Sequence, residues 1–394
     1  MNFIFISPNF PKTYYLFCSA LKNNGVRTLG IGEESVTALT KNCQNALDDY
    51  YQVTSLEDYN EVFRAVAYFS FKYGKIDWLE SNNEYWLVQD AKLRTDFNIK
   101  TGVQVHEVNA YKYKSEMKAY YARANVKTAR YSLVTTLENA KKFIAEVKYP
   151  VIVKPNSGVG ASTTYRLSNN RELLSFFENL PTRQFIMEEF VDGEIFSYDG
   201  ICDNHSNIIY ETAHRFPTPI MDIVNEKKEI TYYSLKQIPP DLKEIGQRVI
   251  KEFNVKSRFF HCEYFKLLHD KEGLGKKGDL IGLEVNMRPP GGYTPDMMNF
   301  ASNIDVYQIW ANMVCYNEGQ FDTTHRPYIC VYYGRRDNIK HKYTNAQIIT
   351  KFKDAICMCE RMPDILSDAM GNQMITARFE TEKKATEFIN WCKQ

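Results

Sequence analysis

The sequence predicts an α/β protein, α+β in its later parts, made of more than one unit, and three observations carry that prediction. Residues 1–105 alternate short apolar strands with helix-like spans, the rhythm of an open, mostly parallel sheet. Two apolar, β-prone runs, 258–268 (RFFHCEYFKLL) and 279–287 (DLIGLEVNM), flank the polar, Gly-rich DKEGLGKKG and read as a hairpin. The chain has 394 residues, 44% of them hydrophobic, which exceeds one simple core and is enough to bury two or three units.

Taken in order, strands are expected at 3–7, 28–31 and 78–80, with helices near 14–23 and 56–73. No Gly-x-Gly-x-x-Gly follows the first strand, which argues against a dinucleotide bound there. Residues 109–131 form a helix-like run closing at Asn125, a residue able to take the left-handed cap that glycine usually fills. Residues 149–162 (YPVIVKPNSGVGAS) make a short apolar strand that ends in Lys154 and runs into a loop with Gly158 and Gly160. The continuation to 167 is again β-like, unlike a Walker loop, which opens a helix with Gly-Lys-Ser/Thr. Residues 184–200 (QFIMEEFVDGEIFSYDG) read as a buried strand, a short acidic hinge and a second strand. Beyond about 320, strands near 328–333 and 373–379 and helices near 345–360 and 381–393 suggest a small α/β unit. There is no internal repeat or low-complexity tract.

The chemistry concentrates on the hairpin. Centring its turn on Gly273 and Leu274 places Glu263 opposite Glu284, and strand alternation puts Glu284, Asn286 and Arg288 on that same face. Charged strand residues commonly lie on a solvated outer face. Here Pro289-Pro290-Gly291-Gly292 follows, a rigid turn and two glycines that let backbone approach a ligand closely. Two facing carboxylates repel unless one is protonated or a cation lies between them. An all-oxygen set of two Glu and one Asn suits Mg²⁺ or Mn²⁺ better than zinc. Arg288 adds a planar fork for phosphate or carboxylate oxygens.

This pattern resembles the ATP-grasp superfamily, whose nucleotide site ends in a Glu, then Glu-x-Asn-x-Arg and Pro/Gly-rich residues; here these are Glu263 and Glu284-Val285-Asn286-Met287-Arg288. The resemblance covers roughly residues 100–315. It implies an ATP-grasp fold with an N-terminal Rossmann-like domain (1–105), a central nucleotide-binding domain of two α+β subdomains (106–318, Gly-rich lid about 125–190) and a small C-terminal α/β unit (319–394). It further implies ATP as cofactor, with one or two Mg²⁺ or Mn²⁺ ions held by Glu263, Glu284 and Asn286. Lys114 and Lys154 would brace the phosphates, under a loop of Gly158, Gly160, Ala161 and Ser162. Tyr113 stands where an Asp commonly precedes the first lysine, so Lys112 and Lys118 remain rivals to Lys114. In the hinge Glu188-Glu189-Phe190-Val191, Glu188 would accept from the adenine amino group, Val191 would pair through its backbone, and Glu194 would bind the ribose.

The activity implied is ATP-dependent conversion of a small carboxylic acid to an acyl-phosphate and its capture by an amine, giving an amide or peptide bond, ADP and phosphate. Phosphoryl transfer needs in-line placement and charge neutralisation more than a nucleophilic side chain. Arg288 would stabilise the acyl-phosphate and the tetrahedral adduct. Gly291, Gly292 and the 210–220 segment with His214 and Arg215 are candidates for contacting the acceptor. A bicarbonate-activating carboxylase and a catalytically silent ATP-binding regulatory protein are the alternatives. A net charge of +1 and the lack of a Lys/Arg run argue against nucleic acid as partner, and no eighteen-residue apolar window calls for a membrane. Nine scattered cysteines without a CxxC pair suit reduced thiols in a cytoplasmic protein. Among seven histidines only His261, opposite Asn286, falls near the chemistry, and there core packing is its default role. A homodimer is the base-rate expectation.

Overall fold

A computed structural model describes all residues except 159–162, 219–222, 224–226 and 323. The first sheet is wholly parallel: β1 (Asn2–Ile6), β2 (Arg27–Gly32), β3 (Asp49–Gln52) and β4 (Trp78–Glu80), in the order β3-β2-β1-β4. Helices cover both faces, as a parallel sheet requires. On one face Ile4, Ile6, Leu29 and Ile31 pack against Val62, Val66 and Phe69. The helix supplying these last three, Tyr59–Tyr73, starts where the Asp58 carboxylate accepts from Asn60 and Glu61 N–H. It stops at Gly74, whose φ of 83° a side chain would strain. On the other face Phe3, Phe5 and Phe17 meet the edge of Trp310 at centroid distances of 5.6, 6.4 and 5.0 Å. Trp310 belongs to the helix Val306–Tyr316, so the N-terminal domain shares a core with a helix near residue 310.

The second sheet is antiparallel: β5 (Tyr131–Leu133), β6 (Val151–Pro155), β7 (Tyr165–Leu167) and β8 (Phe185–Glu189), in the order β5-β8-β6-β7. The helices Leu137–Val147 and Asn170–Glu178 close one face over a separate apolar cluster that includes Val151, Val153, Leu173 and Phe185.

The third sheet holds eight antiparallel strands: β9 (Gly193–Cys202), β10 (Ile208–Phe216), β11 (Ile230–Ser234), β12 (Arg258–Leu267), β13 (Leu280–Asn286), β14 (Ile329–Arg335), β15 (Ile356–Arg361) and β16 (Gln373–Phe379). Their order is β13-β12-β9-β10-β11-β14-β16-β15. The C-terminal strands therefore extend the central sheet through the β11–β14 pair. The helix expected over 345–360 is in fact two elements. A capping box of Thr344 and Gln347 starts Asn345–Lys351, and the β-prone Ile356–Arg361 then leaves it to become the edge strand β15 against β16. The run expected over 109–131 is likewise divided: Tyr113 is extended (φ −97°, ψ 119°) between Asn109–Lys112 and Lys114–Arg123, and Asn125 takes the left-handed cap with φ 54°.

Candidate active site

The hairpin register is the one its turn implies: Glu263 faces Glu284 and His261 faces Asn286. An irregularity follows Glu263, so that Tyr264 pairs with Gly282. Gly282 is required there, because a Cβ would fall 2.5 Å from the ring of Tyr121. That contact seats the helix Lys114–Arg123 directly on β13 and fixes where its lysines reach. The N-terminus of this helix is also tied to the end of β6, since Lys114 N donates to Asn156 O (2.8 Å) and Ser115 N to Asn156 Oδ1 (2.9 Å). Lys114 and Lys154 are thereby brought to one cleft, between the four-stranded antiparallel sheet and the hairpin.

Within the cleft Lys114 Nζ donates to Glu284 Oε1 (2.9 Å) and to Gly158 O (3.1 Å). Lys118 and Lys154 both pair with Glu188, at 2.6 and 2.7 Å. Lys112 stands apart, its ammonium 5.0 Å from the Tyr113 ring centroid. Burial opposes charge on Glu188, but the two ammonium groups outweigh it and bring its carboxyl down to about 2. Glu284 is lowered in the same way, Lys114 and Lys154 overcoming its burial. Lys114 is raised, Glu284 outweighing desolvation, whereas for Lys118 desolvation wins and the neighbouring Lys154 adds to it. One carboxylate shared by two lysines accounts for that asymmetry.

The hinge residues divide by strand alternation. Glu188 faces the lysines, while Glu189 turns the other way, accepting from Arg130 Nη2 (2.7 Å) and lying 3.5 Å from Lys271. The Phe190 carbonyl accepts from Lys271 (2.6 Å), and Val191 packs with Ala129, Leu267 and Ile281. Glu194 is held in a fork by Arg215 Nη2 and Nε (2.8 and 3.1 Å). Gly158 has φ 104° with open space where a Cβ would lie. Gly160, Ala161 and Ser162 lie outside the described residues. Arg288 donates from Nη1 to Pro289 O (2.8 Å), and its Nε lies 3.4 Å from Glu84 Oε2. The cleft has a volume of about 580 Å³.

Two features went unread in the sequence. Beneath the hairpin, Asp199 is fully buried and accepts from Ser197 Oγ (2.6 Å), and it is hydrogen-bonded to Nδ1 of both His214 (2.7 Å) and His261. His261 Nε2 is in turn 3.6 Å from Glu263. Burial disfavours a charged His261, but Asp199 outweighs it and the imidazole is pushed up to about 9. His261 thus braces Glu263 in addition to packing, and His214, on β10, is fully buried. The only available signal was the Ser197/Asp199 alternation on β9. The second feature is Glu84, in a short 3₁₀ turn with no periodicity to mark it. Burial pushes its carboxyl up to about 7, with Arg288 opposing.

The side chains fit an oxygen-coordinated divalent ion. Asn286 Oδ1 is buried without a hydrogen-bond partner, beside two opposed carboxylates. Among the described residues no three His, Cys, Asp or Glu gather as a metal site, so the amide is needed to complete the set. No described helix is long and apolar enough to cross a membrane.

Residues 112–220 match the family model of the phosphoribosylglycinamide synthetase ATP-grasp (A) domain. Similar solved structures include an L-amino acid ligase from Bacillus licheniformis (14% identity, TM-score 0.77, covering 100% of this chain and 96% of that one). Another is the biotin carboxylase domain of the Hydrogenobacter thermophilus 2-oxoglutarate carboxylase, complexed with MgADP, ADP and bicarbonate (13%, 0.72, 98% and 88%). A third is N5-carboxyaminoimidazole ribonucleotide synthetase from Thermotoga maritima (14%, 0.70, 100% and 97%). Residues 112–220 thus match an ATP-grasp (A) domain, and the chain as a whole shares its fold with these structures.

Proposed function

We propose that this chain is an ATP- and Mg²⁺-dependent ligase that converts a small carboxylic acid to an acyl-phosphate and joins it to an amine, releasing ADP and phosphate. The observation that carries this reading is the Glu263–Glu284 pair, with Asn286 Oδ1 unpaired beside it, in a cleft that also holds Arg288, Lys114, Lys118 and Lys154. Bound there, Mg²⁺ would neutralise phosphate charge and align the phosphoryl group for in-line transfer. Glu263, Glu284 and Asn286 would hold it, with His261 bracing Glu263. Lys114 and Lys154 would exchange their carboxylate partners for phosphate oxygens. Backbone groups of the hinge at Glu189, Phe190 and Val191 would line the adenine, and Glu194 the ribose. Arg288 would orient the acid and meet negative charge on the acyl oxygen as the amine attacks.

A second reading, a bicarbonate-activating carboxylase, has its support in the similar structures, among them the carboxylase domain with bicarbonate. It would use the same nucleotide residues. What favours a larger organic acid is the apolar part of the cleft lining, which includes Phe216, Tyr232, Leu283 and Met370. The Tyr232 hydroxyl is tied there to Thr294 (2.9 Å), which donates to Gly291 O (2.7 Å). Bicarbonate has no apolar part to fill such a wall. The deciding experiment measures phosphate release from Mg-ATP with single acids plus hydroxylamine, and with bicarbonate alone. A hydroxamate formed from an organic acid supports the ligase; turnover that requires only bicarbonate supports the carboxylase; no Mg-dependent turnover with any of them contradicts both.

A further inference from the structure

Lys118 and Lys154 share one carboxylate, that of Glu188, but they do not stand alike. Lys118, one helical turn past Lys114, has a side chain 4% exposed and an ammonium nitrogen closed off from solvent. That nitrogen lies 2.6 Å from Glu188 Oε1 and 5.8 Å from the centroid of the Tyr131 ring. Lys154, near the end of β6 and four residues before Gly158, lies 2.7 Å from Glu188 Oε2 with its side chain 11% exposed. A buried carboxylate that loses its last cation is strongly destabilised, whereas one that gives up the first of two stays paired. Glu188 itself is buried, so neither lysine could leave it for a phosphate unless the other remained. The two ammonium groups also repel each other, Lys154 being among the groups that oppose charge on Lys118. A polyphosphate that draws Lys154 away relieves that repulsion.

We propose that Lys118 is a positioning residue for nucleotide binding, the lasting counter-ion of Glu188, which keeps that carboxylate paired and so frees Lys154 to bind phosphate. This rests on the ATP-binding part of the function proposed above and not on which acid is activated. Lys118 touches no phosphate in this scheme, and its effect reaches the nucleotide only through Glu188 and Lys154. Without Lys118, Lys154 becomes the sole cation of a buried carboxylate, and phosphate must compete with Glu188 for it. Without Glu188 as well, that competition disappears.

The test measures the affinity of the full chain for Mg-ADP and for adenosine by calorimetry, in wild type, Lys118→Met, Glu188→Gln and the double variant Lys118→Met/Glu188→Gln. Lys118→Met should weaken Mg-ADP binding by roughly 10–10³-fold and leave adenosine binding unchanged. The double variant should return Mg-ADP affinity to that of Glu188→Gln. If Lys118→Met alone does not fold, the last two variants still decide, since they differ only in Lys118 and the proposal requires them to bind Mg-ADP equally. A double variant weaker than Glu188→Gln would overturn the proposal, because Lys118 would then meet phosphate itself. An equal loss of adenosine and Mg-ADP in Lys118→Met would also overturn it, since Lys118 would then shape the base site, and so would unchanged Mg-ADP binding. Wild type that binds neither compound would overturn the ATP reading and this assignment together. Binding is measured apart from turnover, so failure of every acid in the hydroxamate screen would remove the ligase and leave this assignment standing.

Discussion

Arg288 and Glu188 show how far single residues can be read. The Glu-x-Asn-x-Arg spacing pointed to Arg288 by strand alternation; β13 ends at Asn286, and Arg288, two residues past it, still lines the same cleft as Glu284. If Arg288 stabilises charge that develops during acyl transfer, Arg288→Ala should lower kcat by roughly 10²–10³-fold. ATP affinity, measured by calorimetry, should hardly change. Glu188 was less legible. Its burial in strand β8 could be expected, but its pairing with both Lys118 and Lys154 depends on the phase of a helix whose start is set by the break at Tyr113. Removing its charge in Glu188→Gln strands two buried ammonium groups and should cost about 3–5 kcal/mol in urea unfolding. The Glu188 carboxyl is lowered in the folded state to about 2 from 4.5. Its stabilising contribution, roughly 3 kcal/mol, is therefore full above pH 4.5 and lost as pH falls towards 2. Glu188→Gln should lack this component of the acid dependence. Asp199, His214 and His261 were hidden for a different reason: their meeting requires three strands to pair, and no local pattern reports it.

At the scale of elements, the hairpin and the Lys154 strand were legible because each is a local unit with its own turn chemistry. The helix Lys114–Arg123 is seated by a non-local contact, Tyr121 against the bare Cα of Gly282. Gly282→Ala should push this helix off β13. The expected result is a loss of about 1–3 kcal/mol, typical of overpacking, seen as a lower Tm. Mg-ATP binding should weaken at the same time, because Lys114 and Lys118 move with the helix. A stability loss with unchanged Mg-ATP affinity would mean the helix does not position the lysines. The misread run 345–360 is instructive too. Its second half has strand-forming residues, but only β16, which follows it in the chain, makes it an edge strand.

Across the whole molecule, the parallel N-terminal sheet followed from its βα rhythm, whereas the continuity of the C-terminal strands with the central sheet did not. That continuity rests on β11 pairing with β14 across nearly a hundred residues. The N-terminal domain is tied down as well. Glu80 at the end of β4 accepts from Arg94 Nη2 and from Arg258 Nη2 of β12, each at 2.8 Å and buried. Together with the Trp310 core, this holds the N-terminal domain against β12, while the residues that line the cleft come from the second and third sheets and the segments beside them. The central claim is that the hairpin grips a divalent ion beneath the phosphates. Mn²⁺ titration followed by electron paramagnetic resonance, in the presence of ADP, tests it most directly. The account predicts one or two tight Mn²⁺ per chain in wild type and their loss in a Glu263→Gln/Glu284→Gln double variant that still binds ADP; undiminished Mn²⁺ binding by that variant would contradict it.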